Sequence, residues 1–300
     1  MAPAVPSAPP APSVTVWRER AEAWNSRPMA ALDGKVVLVT GATDGLGRAL
    51  AIDLARAGAT VLVHGRDPDR IADTVRQVTA AGGGDRVRWY RADLASLAGV
   101  RALAEQVIAA EPRLDVLVNN AGVGATVPGD GVRQESADGY ELRFAVNYLA
   151  GYALTRLLLP LLRKSAPSRI VNVASIGQQA IDFGDVMLIE GYDGMRAYRQ
   201  SKLAQILFTF DLAAEPDLAG VTANALHPAT FMPTKVSPAP PISTIAQGVE
   251  ATMRLITDPI AQAGSGRYFN GLDEARANDQ AYDPAARRQL RELSEKLTSL

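Results

Sequence analysis

The chain has 300 residues, 47% of them hydrophobic, and a formal net charge of -1. That is enough apolar material for a large buried core and too little excess charge to track nucleic-acid phosphates or an anionic membrane surface. Cysteine is absent, which excludes disulfides, thiolate zinc sites and a catalytic thiol. The two histidines, His64 and His227, lie far apart in sequence; both read as ordinary strand-end residues, and no metal site is expected.

In chain order, 1–13 is an uncharged Ala/Pro-rich stretch. It lacks the basic start and continuous apolar run of a secretory leader and reads as a flexible tail. Residues 14–32 read as a helical extension, with Trp17 and Trp24 seven apart and so on one face. Nowhere do eighteen apolar residues run unbroken, so no membrane span is expected and the expected location is cytoplasmic.

From 33 to 300 short apolar runs alternate with stretches of helical spacing. Strands are predicted at 35–40, 60–64, 87–90, 114–118, 169–173, 221–225 and 266–269. Helices are predicted at 46–58, 67–80, 96–110, 136–164, 196–214, 242–257 and 284–297. This rhythm implies one Rossmann-type, doubly wound α/β domain: a seven-stranded, mostly parallel sheet in the order 3-2-1-4-5-6-7 with helices on both faces.

The first strand is followed at once by Thr40-Gly41-Ala42-Thr43-Asp44-Gly45-Leu46-Gly47 and then by a helical pattern. Strand, glycine turn and helix N-terminus together present backbone N–H groups and a positive helix end to a pyrophosphate. The end of the second strand lies by the adenosine ribose, where an acid would bind the 2′-hydroxyl. Here it reads His64-Gly65-Arg66, and a guanidinium suits a 2′-phosphate, which favours NADP(H) over NAD(H).

In Tyr198-Arg199-Gln200-Ser201-Lys202 tyrosine and lysine stand one helical turn apart and project from one face. A phenol is a poor acid or base near neutrality, and a neighbouring ammonium is expected to lower its pKa into a useful range. Tyr198 can then give a proton to a carbonyl oxygen or take one from an alcohol.

The segment from about 33 to 297 resembles the short-chain dehydrogenases/reductases. The residues that carry the resemblance are Thr40-Gly41-x-x-x-Gly45-x-Gly47, Asp93-Leu94, Asn119-Asn120-Ala121-Gly122, Asn147, Ser175 and Tyr198-x-x-x-Lys202, in the family's order. The resemblance implies a proton-transferring Tyr198, a Lys202 that also binds the nicotinamide ribose, a Ser175 that bonds the substrate oxygen, and an Asn147 that holds a relay water. It places Asp93 and Asn119 by the adenine and neighbouring backbone, Gly122 by the ribose, and Thr43, Asp44, Leu46, Leu94, Asn120, Ala121, Thr230 and Thr234 along the cofactor. Family members pair through the equivalents of 136–164 and 196–214, which leaves a homodimer or homotetramer open; Leu157, Leu158, Leu159, Leu161 and Leu162 would supply an apolar outer face.

Two departures stand out. The family's Pro-Gly after the sixth strand is His227-Pro228-Ala229-Thr230 here, and Ser175 precedes Tyr198 by an unusually long interval. The inserted segment, 176–196, carries Ile181, Phe183, Met187, Leu188, Ile189, Tyr192 and Met195. It is expected to lie over the substrate pocket and to favour a bulky lipophilic ketone, aldehyde or alcohol. Its length, with Ser201-Lys202-Leu203-Ala204 and Gly266-Arg267-Tyr268-Phe269, resembles the retinol-dehydrogenase-like branch. Two other readings remain open: a non-catalytic NADP(H)-binding sensor or scaffold, and an epimerase or dehydratase on the same fold.

Overall fold

The computed structural model describes residues 32–126, 132–218, 220–237, 239–257 and 264–300. Residues 32–300 form one compact unit. The expected tail and all but the last residue of the helical extension lie outside the described residues.

The first strand, β1 (Val36–Val39), is buried on both faces, as a continuous apolar run in the middle of a parallel sheet must be. It leads through the glycine turn into α1 (Gly45–Arg56), whose N-cap is Asp44. Next come β2 (Thr60–Gly65), α2 (Pro68–Val78), β3 (Val87–Arg91), α3 (Leu97–Ala110) and β4 (Val116–Asn119). A wide π-type helical segment, Phe144–Leu149, runs into α4 (Ala150–Lys164), followed by β5 (Ser168–Val173) and α5 (Gly194–Ala213). The chain closes with β6 (Val221–His227), α6 (Ile245–Thr257), β7 (Arg267–Asn270), β8 (Asp273–Glu274) and α7 (Pro284–Thr298).

The strands line up as β3-β2-β1-β4-β5-β6-β7-β8. Seven are parallel in the predicted order, and β8 adds a two-residue antiparallel edge to β7. Its two-residue loop begins at Gly271, at φ +60°, a conformation glycine adopts without Cβ strain. Val37 pairs with Val61 of β2 on one side and Val116 of β4 on the other. Strand order reverses direction at that point, so a crevice opens above the carboxyl ends of β1 and β4.

The helix expected from 136 begins only after Glu141. Ser136 Oγ accepts the N–H groups of Asp138 and Tyr140, and Gly139 sits at φ +81°; a serine-centred turn thus replaces the first helical turns. The segment Phe144–Lys164 is long and apolar enough to cross a membrane, yet it is mostly buried as a core helix. Leu158, Leu159, Leu161 and Leu162 are buried within this chain and Leu157 packs against its core. The leucines read as an outer pairing face therefore serve the chain's own interior.

Candidate active site

A cleft of about 540 Å³ runs along the carboxyl ends of the strands. Gly41, Thr43, Asp44, Gly45, Leu46, Gly47, Arg66, Asp93, Leu94, Asn120, Ala121, Gly122, Ser175, Tyr198, Lys202, Thr230 and Thr234 all line it. Of the expected site residues only Asn119 and Asn147 do not.

The glycine turn owes its shape to close approaches. A Cβ on Gly47 would lie 2.3 Å from the Gly41 carbonyl oxygen, and one on Gly41, at φ +64°, would lie 2.9 Å from Ala121 Cα. Thr40 Oγ1 accepts the N–H groups of Asn120 and Ala121 at 2.9 and 3.0 Å. Asn120 Nδ2 donates back to the Thr40 carbonyl at 2.8 Å. These bonds tie the turn after β1 to the turn after β4.

His64 is more than a strand-end residue. Its Nδ1 accepts the Gly41 N–H at 3.2 Å, and Nε2 faces the Ala92 carbonyl at 3.3 Å. The ring is buried, and loss of hydration lowers its pKa to about 4, so a neutral imidazole braces the turn against the end of β3. Across the cleft, Lys235 Nζ lies 2.7 Å from Asp44 Oδ2 and Thr234 packs its methyl on Gly45. The Lys235 bond holds the Asp44 carboxyl below its ordinary range. Nothing in the run 228–237 announces that pairing.

At the ribose end, Arg66 and Arg70 both line the cleft. Arg66 is largely exposed, 4.0 Å from Asp93, and Arg70 lies 3.4 Å from Asp44. Asp67, next to Arg66 in sequence, is occupied as the N-cap of α2, accepting from the N–H groups of Asp69 and Arg70. Two guanidiniums with their neighbouring acid turned to a helix cap fit a 2′-phosphate.

At the other end, Ser175 follows β5 and Tyr198 and Lys202 stand on α5. Ser175 Oγ accepts the Gly177 N–H at 3.0 Å, and its side chain lies close enough to the Tyr198 hydroxyl to lower the phenol's pKa. The Ser175 carbonyl is held by Tyr268 Oη at 3.1 Å and Gln178 Nε2 at 2.9 Å. Sequence spacing gave no sign of either clamp. Lys202 Nζ lies 5.9 Å from the Tyr198 ring centroid and donates to the Val173 carbonyl at 2.8 Å and to Gln205 Oε1 at 3.0 Å.

The expected electrostatics are corrected here. Burial raises the Tyr198 pKa above its ordinary value, and the Ser175 bond offsets only part of that. Burial also lowers Lys202 to about 7. Loss of hydration favours the neutral form of both groups.

Asn119 and Asn147 do not line the cleft, and for Asn119 this corrects its expected place by the adenine. Asn147 sits behind the cleft wall: Oδ1 accepts the Val123 N–H at 2.7 Å, while Nδ2 donates to Ser201 Oγ at 2.9 Å. It braces the turn after β4 against α5. Asn119 Nδ2 donates to Thr155 Oγ1 and Asn172 Oδ1 inside the protein, because strand alternation points position 119 away from the adenine side. Of the inserted segment's apolar residues Ile176 and Met195 line the cleft. Ile181, Phe183 and Met187 pack on the core, Leu188 is buried and Ile189 is exposed. Tyr192 Oη bridges Arg143 and Glu141.

Residues 35–239 match the family model described as short chain dehydrogenase. The chain belongs to the short-chain dehydrogenase family. It is 36% identical to "Retinol dehydrogenase 14" from Homo sapiens over 299 aligned positions, covering 90% of this chain and 88% of that one. This places the dehydrogenase in the retinol-dehydrogenase-like branch. A crystal structure of an uncharacterized protein from Mycobacterium Paratuberculosis superposes with a TM-score of 0.76 at 30% identity, covering 91% of this chain and 96% of that one. The "Pseudomonas aeruginosa RhlG/NADP active-site complex" gives 0.66 at 28%, covering 82% and 98%. As a family member the protein is an oxidoreductase that uses a nicotinamide cofactor.

Proposed function

We propose that this dehydrogenase transfers a hydride between NADP(H) and a ketone, aldehyde or alcohol, with Tyr198, Ser175 and Lys202 as its reacting constellation. The observation that carries the reading is a single cleft with two arginines, Arg66 and Arg70, at one end and the Tyr198–Ser175 hydroxyl pair at the other. An NADP-bound relative of the same fold supports the choice of cofactor.

When bound, the nicotinamide supplies the hydride that reaches the carbonyl carbon. Tyr198, protonated at neutral pH, gives its proton to the carbonyl oxygen as charge builds there. Ser175 engages its acceptor side with Gly177 N–H, which leaves its own proton to donate to the developing oxyanion. Lys202, when protonated, stabilises the phenolate that remains. Asn147 acts through the loop and helix it joins. One carbonyl, one hydride and one proton give one alcohol.

Ile176, Met195, Leu142 and Val146 on the wall support a bulky apolar substrate. A cytoplasmic location belongs to the same proposal. The test is NADPH and NADH oxidation by purified protein against small polar and bulky apolar carbonyls. The reading expects at least about tenfold higher kcat/KM with NADPH and faster turnover of the bulky set. A preference for NADH, or for the small polar set, contradicts the corresponding half.

A further inference from the structure

The cleft-facing stripe of α5 is Met195, Tyr198, Arg199 and Lys202. At about 100° per residue these four positions fall within roughly 100° of arc, so Arg199 stands on the same face as the reacting tyrosine. Its stem runs beside Gly177: Arg199 Cγ lies 3.9 Å from where a Cβ on that glycine would sit. Gly177 in turn donates to Ser175 Oγ.

The cleft's other charges have partners. Asp44 holds Lys235 and Arg70, Arg66 faces Asp93, and Lys202 is buried on Val173 and Gln205. Arg199 is exposed and, among the described residues, makes no hydrogen bond or ion pair. No carboxylate among the described residues lines the cleft at that end, and the nearby walls are Leu142, Val146, Ile176 and Met195. An unpaired guanidinium on an apolar rim, beside the hydroxyls that receive a carbonyl oxygen, has the chemistry of a receptor for a planar anion.

We propose that the substrate carries a carboxylate and that Arg199 receives it, making the enzyme a reductase of apolar oxo acids, or a dehydrogenase of the matching hydroxy acids. The assignment rests on the hydride-transfer reading above and adds a specificity-determining residue to it.

The experiment compares 4-, 5- and 6-oxodecanoate with their methyl esters, using NADPH and the full-length enzyme, so that the carboxylate-to-carbonyl spacing is scanned rather than assumed. At least one acid exceeds its ester in kcat/KM by about tenfold or more, the scale of one charge-assisted contact. In Arg199→Gln that acid-to-ester ratio falls toward one, and in Arg199→Lys it is intermediate. The wild-type ratio is a test in itself, independent of how either variant folds. Esters reduced as well as acids, or a ratio unchanged in Arg199→Gln, overturn the assignment. Neutral ketones reduced while every oxo acid is refused overturn it alone; a panel inert throughout overturns the hydride-transfer reading as well.

Discussion

Tyr198 and Lys202 are readable as a pair from their helical spacing, and Ser175 through its place in the order of motifs that carries the family resemblance. Their electrostatics are not, because burial is a property of the folded pocket. Sequence spacing pairs an ammonium with a phenol; the fold instead buries the amine, leaves the phenol partly exposed and turns the amine toward Val173. His64 was missed for a related reason, since its partners Gly41 and Ala92 are neighbours only after β1, β2 and β3 align. That ring makes a prediction. Burial lowers both His64 and His227 to about 4, so between roughly pH 6.5 and 4 the unfolded chain binds protons that the folded chain refuses. Stability therefore falls as pH drops through that window. In His64→Gln, thermal melts between pH 6.5 and 4.5 decline about half as steeply as in the parent, His227 supplying the remainder. An unchanged slope removes His64 as a buried neutral brace.

The glycine turn is the element whose function was clearest in advance, because strand, turn and helix N-terminus follow one another without a gap. The structure gives backbone crowding as the reason for Gly47. A methyl there meets the Gly41 carbonyl at 2.3 Å and Asn120 Nδ2 at 2.5 Å; the first is backbone and the second is held by the Thr40 carbonyl. Gly47→Ala is expected to weaken NADPH binding by at least about tenfold in a fluorescence titration while leaving helical circular dichroism intact. Unchanged affinity means the turn does not carry the cofactor. Other elements were less legible. The start of the segment before α4 was placed too early because Ser136 and Gly139 form a turn within a helical-looking pattern. The inserted segment's apolar residues looked like a flap, but apolar content alone does not tell a loop's cleft side from its core side; here most of them pack inward. The edge strand β8 has two residues, too few for any period.

For the whole molecule, strand order followed from right-handed crossovers between parallel strands, and the seven predicted strands stand in that order. The functional reading depends on what the sheet brings together: residues from β1, β2, β4, β5, β6 and α5 converge above one edge although up to about two hundred positions separate them. In the proposed reaction this convergence moves a hydride with Tyr198 as proton partner. The most direct measurement uses NADPH deuterated at nicotinamide C4 with a bulky carbonyl, followed by mass spectrometry of the alcohol, for the parent enzyme and Tyr198→Phe. One deuterium is expected on the carbinol carbon with the parent, and formation slower by roughly two to four orders of magnitude in the variant. Alcohol without deuterium, or equal rates from both proteins, contradicts the proposed reaction.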